Sequence, residues 1–131
     1  MKDDNISPKS RGVPNLEQNE EKYRRMFQDN PQPMWIFDQE TLRFLEVNNA
    51  AINDYGYSKE EFLSMTIADI RPVEDVQALN EHIDSTRQKY NRAGVWRHIK
   101  KNGETIRVSI VSHMVEYEGR KARHVMINDV T

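Results

Sequence analysis

The sequence predicts an α+β domain, and three observations carry that prediction. Two apolar stretches, residues 34–37 (Met-Trp-Ile-Phe) and 42–47, flank the polar turn Gln39-Glu40-Thr41 and read as a hairpin. From Asn48 to about Gln88 the pattern changes to helix starts and stops, with apolar residues at helical spacing. The last third returns to strands, at 95–100, 105–116 and 120–130, broken at Lys101-Asn102-Gly103 and at Glu118-Gly119. The order is therefore a flanking helix, two strands, short helices, a longer helix and three strands.

Composition removes several classes of function. A chain of 131 residues suits one domain with a core of moderate size. Basic and acidic residues nearly balance, 19 against 21, and no basic stripe is interleaved with aromatics, so nucleic acid is not an expected partner. The absence of cysteine excludes a disulfide scaffold, a thiolate metal site, a cysteine nucleophile and a cysteinyl flavin adduct. No apolar run approaches membrane-spanning length and no signal-peptide pattern opens the chain, which makes the cytoplasm the expected location. The five glycines are scattered at turns rather than gathered in a phosphate loop. No Ser/His/Asp arrangement stands out, and enzyme activity is not expected.

Residues 1–14 mix charge with Ser7, Pro8, Ser10, Gly12 and Pro14 and are expected to be a disordered tail or linker. Residues 15–30 form the flanking helix, opened by Asn15 with Gln18 and carrying the sparse stripe Leu16, Tyr23, Met26 and Phe27. That stripe can bury one side, against the domain or against a second copy of the chain. Asn30-Pro31-Gln32-Pro33 ends it, because proline disfavours helical geometry at the preceding residue. The core then runs over residues 31–131.

Within the core, residues 47–63 are the most legible stretch. Asn48 can cap a short helix carrying Ala51, Ile52 and Tyr55, and Gly56 suits its left-handed end. Ser58 with Glu61 makes a capping box for a second helix. Ile67 and Ile70 can face inward on a single turn before Pro72. A longer helix, 73 to about 88, places Val76, Leu79, Ile83 and Thr86 on one face. Residues 89–94 read as a loop. The Glu118-Gly119 turn pairs Tyr117 with Arg120 and sets Ile110 opposite Ile127. The turn at Lys101-Asn102-Gly103 is open: two residues pair Ile99 with Ile106, whereas three pair His98 with Ile106 and Trp96 with Val108.

Asn48-x-Ala50, Gly56-Tyr57-Ser58-x-Glu60-Glu61, Lys101-Asn102-Gly103 and Asp129-Val130-Thr131, in that order, resemble a PAS domain, a sensory module of bacterial signalling proteins. The resemblance covers about residues 21–131. It implies a five-stranded antiparallel sheet with short helices on its concave face, a small cavity between them, and an N-terminal flanking helix. It implies a bulged turn at Gly103, which faces Trp96 and His98 inward, and an ion pair between Glu61 and Lys101. Light-oxygen-voltage flavin sensors of this family carry a cysteine where Ile67 stands and a glutamine where Ile127 stands, so that photochemistry is excluded. Haem-binding members carry a histidine that aligns with Leu79. His82, nearly a turn later at the edge of the buried stripe, is the one candidate axial ligand, and haem is not expected. His98, His113 and His124 lie on strands. Only His98 is placed to face the cavity, without an evident second metal ligand, so no metal site is expected.

The residues expected to line the cavity are Trp35, Phe37, Tyr55, Ile67, Leu79, Ile83, Trp96, Ile110, Val125 and Ile127, with Tyr55, His98 or Ser112 orienting a ligand. The same large side chains equally suit a filled core, and the cofactor is unknown. The resemblance implies a sensory domain that detects a small ligand or partner and relays a conformational signal to an effector, such as a histidine kinase or a cyclic-dinucleotide enzyme. The alternative is a ligand-free dimerisation and relay module. In either case a homodimer through the flanking helix and the outer sheet face is expected.

Overall fold

The structure, a computed structural model, describes residues 16–85 and 90–131. The expected tail and the Asn15 cap lie outside the described residues, as does Thr86. Helix α1 (Leu16–Gln28) precedes β1 (Met34–Asp38) and β2 (Phe44–Val47). Helices α2 (Asn49–Tyr55), α3 (Lys59–Leu63) and α4 (Val76–Ser85) follow, and β3 (Tyr90–Ile99), β4 (Thr105–Tyr117) and β5 (Arg120–Asp129) complete the chain. The strands form one antiparallel sheet in the order β2-β1-β5-β4-β3. The last strand thus lies at the centre of the sheet, between the first hairpin and the second.

Alternation along the strands sorts side chains to two faces. Trp35 and Phe37 of β1, Val108 and Ile110 of β4, and Val125 and Ile127 of β5 join the main core under the helices. Trp35 is its centre: its indole meets Phe44 and Tyr55 edge-on, with ring centroids 5.3 and 5.5 Å away. On the opposite face Met34, Ile36 and Ala122 form a smaller cluster that Phe27 of α1 covers. Of the α1 stripe, Phe27 is buried, whereas Tyr23 stacks on it half exposed and Met26 faces solvent.

The helical stretch forms as its signals predict. The Asn48 side chain accepts the Ala51 N–H, and Gly56 ends α2 at φ 87°. Ser58 and Glu61 close a reciprocal capping box. A Cβ at Gly56 would touch Lys101 Cβ only at 3.5 Å, so the cost of adding one lies in the left-handed backbone and not in crowding. Gly56→Ala should therefore lower the unfolding free energy by about 1 kcal/mol, read as a shift in the urea midpoint at unchanged slope. Ile67–Ile70 forms a 3-10 turn with both isoleucines buried, and the Asp69 carboxylate accepts the Thr66 N–H at 2.9 Å.

Two boundaries differ from the expectation. The long helix begins as a separate 3-10 turn, Val73–Asp75, and becomes α-helical only at Val76, with Val73 left exposed. Strand β3 begins at Tyr90 and not at Val95, because Gly94, at φ 85°, sits in a register shift within the strand and does not end it. At the Lys101–Gly103 turn, His98 pairs with Ile106 and Trp96 with Val108, and Lys100 N–H donates to Glu104 O at 2.9 Å across a three-residue loop. The Glu118-Gly119 hairpin pairs Tyr117 with Arg120 and Ile110 with Ile127. Lys101 Nζ lies 2.9 and 3.1 Å from the Glu61 carboxylate oxygens, an exposed pair that ties the turn to α3 and contributes little to stability.

Candidate functional site

A cavity of about 50 Å³ lies between the sheet and the segment that runs from the Ile67–Ile70 turn into α4. Strand β1 supplies Trp35 and Phe37, with Gln39 just past its end. The turn supplies Ile67 and Arg71, and α4 supplies Leu79, His82 and Ile83. Trp96 closes the wall on β3, Ile110 and Ser112 on β4, and Arg123 and Val125 on β5. Nine of the residues expected at the site thus come together.

Tyr55, His98 and Ile127 do not line this cavity; they lie in the core beside it. The reason is the strand repeat. His98 and Ile127 share a face with Trp96 and Val125, but each stands two residues further on, about 7 Å along the strand. Tyr55 reaches His98 from α2, its hydroxyl 2.6 Å from Nδ1, and both side chains are fully buried. Burial, reinforced by the Arg71 charge, holds His98 well below the ordinary histidine range, and burial pushes the Tyr55 hydroxyl up. Both groups are neutral near pH 7. The polar contact expected from Tyr55 is therefore spent within the core.

The polar groups that do face the cavity are Gln39, Arg71, His82, Ser112 and Arg123. Arg71 is 7% exposed, and its Nη1 donates to Ile67 O at 2.6 Å. The guanidinium carbon sits 5.5 Å from the centroid of the Trp96 ring, within reach of a cation–π contact. Burial pushes the Arg71 pKa down to about 10, with Tyr55 and Asp75 pulling the other way, so the group keeps its charge near neutrality. Arg123, 4% exposed, donates from Nε to Ser112 Oγ at 3.1 Å, and burial lowers its pKa. His82 is half-buried with its ring 5.5 Å from that of Trp96. Burial, then the charges of Arg123 and Arg71, hold it below the usual histidine value.

Sequence reasoning placed Ser112 but missed Gln39, Arg71 and Arg123 and set His82 at the boundary. Arg123 had a signal: alternation from Ile127 through Val125 reaches it on the inward face. Arg71 had none, since it follows a 3-10 turn and precedes Pro72, outside any periodic pattern.

Among the described residues, no group of His, Cys, Asp and Glu could hold a metal ion, and no helix is long and apolar enough to cross a membrane. The cavity is about a third of the ~150 Å³ that takes a benzene. A flavin ring system or a porphyrin does not fit these walls as they stand.

An antiparallel sheet with its last strand at the centre and helices over a small cavity is the arrangement expected of a PAS domain, and the comparisons agree. The structure superimposes on the PAS domain of an HTR-like protein from Haloarcula marismortui with a TM-score of 0.77 at 17% identity, covering 88% of this chain and 94% of that one. It matches a PAS domain from a two-component sensor histidine kinase with a TM-score of 0.72 at 20% identity, covering 88% and 99% of the two chains. The Rhodobacter sphaeroides LOV protein gives 0.69 at 15% identity over 87% of this chain and 68% of that one. In sequence, the methyl sulfide methyltransferase-associated sensor of Methanosarcina acetivorans is 24% identical over 116 residues, 88% of this chain. The chain spans 12% of that relative's length. Residues 31–131 match the family profile for the PAS domain. The chain belongs to the PAS domain family.

Proposed function

We propose that this PAS domain detects a small ligand in the cavity under α4 and relays its presence through β5 to α1. The observation that carries the proposal is the position of β5. Its inward residues Arg123 and Val125 form cavity wall, while Ala122 and His124, one residue away on the other face, lie beneath α1. The Phe27 ring stands 5.9 Å from the His124 ring, so the cavity and the flanking helix are separated by the thickness of one strand. A ligand that binds one twist of the sheet better than another would shift the seat of α1. The output is an effector elsewhere in a longer parent protein; the family implies a histidine kinase or a cyclic-dinucleotide enzyme. The cytoplasm is the corresponding location.

Native mass spectrometry and thermal unfolding against a panel of small metabolites test this reading. A bound mass, or a rise in the unfolding midpoint that saturates with ligand, is expected. A bare mass with no midpoint shift across the panel would overturn it.

The second reading, a ligand-free dimerisation and relay module, is favoured by one observation. Tyr23, stacked on Phe27, and its helix neighbour Met26 leave apolar surface exposed on α1, at 50% and 68%. If that face pairs two copies, light scattering over a concentration series should show a dimer that Met26→Glu dissociates. A monomer at every concentration would count against it.

A further inference from the structure

We infer that the cavity selects a small carboxylate of two or three carbons, held by the Arg71 guanidinium, with its apolar end against Ile67, Leu79 and Val125. The inference rests on the reading of the domain as a ligand detector and gives the ligand a chemical class. The observation behind it is the buried Arg71 cation in a cavity wall to which, among the described residues, no carboxylate contributes. Arg71 is 7% exposed, and its buried Nε has no hydrogen-bond partner among the described residues. One donor, Nη1, is spent on Ile67 O. No carboxylate among the described residues lines the cavity, whereas two guanidinium groups do. The nearby Asp75 is already held by Arg97, at 2.9 and 2.7 Å through Nε and Nη2.

A buried charge is costly unless it is paired and hydrogen-bonded. The planar guanidinium matches a carboxylate better than it matches any neutral group. The Gln39 amide, whose buried Oε1 also lacks a partner, belongs to the same wall. Turned about its last torsion it offers N–H groups to a second carboxylate oxygen. Size narrows the class: about 50 Å³ corresponds to roughly four water positions, the bulk of acetate or propionate. Ile67, Leu79, Ile83, Ile110 and Val125 supply apolar wall that suits a short alkyl group, and the Arg123 Nε is engaged with Ser112 Oγ at 3.1 Å.

The protein carries its own reporters, because its two tryptophans, Trp35 and Trp96, both line the cavity. A titration followed by the two indole N–H resonances should show saturable shifts with propionate. Propionamide, the uncharged isostere, should bind at least tenfold more weakly. Arg71→Gln should abolish the preference for propionate, and Arg71→Lys, which keeps charge but not the planar fork, should retain part of it. Equal binding of propionate and propionamide to the unmodified protein would overturn the carboxylate class and leave the small-ligand reading standing. Neither compound shifting either resonance overturns the carboxylate class, and the small-ligand reading falls with it if the wider panel is also blank. The comparison of the two compounds needs no variant, so a failure of Arg71→Gln to fold leaves the test intact.

Discussion

Asn48→Ala should lower the unfolding free energy by about 3–5 kcal/mol, the largest loss expected from any single polar substitution in this chain. Asn48 is wholly buried, and its side chain makes a full set of four hydrogen bonds. Its Oδ1 accepts the N–H groups of Ala51 and Met34, each at 3.0 Å. Its Nδ2 donates to Phe27 O at 2.9 Å and to Gln32 O at 2.8 Å. One amide therefore joins the end of α1, the Asn30–Pro33 link, the first residue of β1 and the start of α2. Loss of the cap alone costs about 1 kcal/mol, and each buried backbone group left without a partner adds about 1–3 kcal/mol before water gives partial relief. Asn48→Asp should be as damaging, because it turns a second acceptor toward two carbonyls and buries a charge. Asn48→Ser, which can keep the cap, should fall between. Urea unfolding of the four proteins checks the order; a loss below about 1 kcal/mol for Asn48→Ala would show that the network closes without it.

Asn48 also marks where the sequence is legible and where it is not. Its role as a cap follows from local rules, since the residue type and the helix that follows it are adjacent in the chain. The other three bonds join segments up to 21 residues apart and leave no trace in local pattern. The same division holds throughout. Gly56, the Ser58–Glu61 box and the Glu118-Gly119 hairpin are local and are found in the structure as read. The length of the Lys101–Gly103 turn was open on local grounds, and it is the pairing of His98 with Ile106 that settles it. The start of β3 was misread because a glycine within a strand and a glycine at its end look alike in one dimension.

For the cavity, alternation and helical spacing find apolar walls well, as Trp35, Leu79, Ile110 and Val125 show. They do not find polar groups that enter from irregular backbone, such as Arg71 and Gln39. Nor do they separate neighbours on one inward face. Trp96 and His98 carry the same periodic signal, yet one borders the cavity and the other is buried in contact with α2. That separation matters chemically, because it divides the interior into a neutral Tyr55–His98 pair and a cavity wall that carries two positive charges.

Acidification below pH 6.5 should destabilise the domain steeply, and His98 should be the main cause. The unfolded chain takes up a proton on this residue near its ordinary value of 6.5. In the folded state burial, and then the charge on Arg71, hold its pKa well below that value. Between the two values the unfolded state binds more protons, so stability rises with pH and falls as acid is added. The contribution is whole above about pH 6.5 and is lost, at a slope of at most about 1.4 kcal/mol per pH unit, as the pH falls toward the lowered folded-state value. His82 and His124, also lowered by burial, add to the slope in the same direction. Asp38, lowered chiefly by the Thr41 N–H, acts only in more acidic solution, below the ordinary carboxylate value of 3.8. The Tyr55 hydroxyl, with no second partner among the described residues, is best used as donor to Nδ1, which places the imidazole proton on Nε2 and leaves fewer orphaned groups than the other tautomer. A proton added to Nδ1 would reverse that bond, turn the Tyr55 O–H away from its acceptor and bury a cation close to the Arg71 charge. Tyr55→Phe should accordingly cost about 1–3 kcal/mol at neutral pH, since it strands the Nδ1 acceptor. Urea unfolding from pH 7 to pH 5 measures the slope, and His98→Gln should flatten it to the remainder left by the other histidines. An unchanged slope in that variant, or an NMR titration of His98 near pH 6.5 in the folded protein, would assign the acid sensitivity elsewhere.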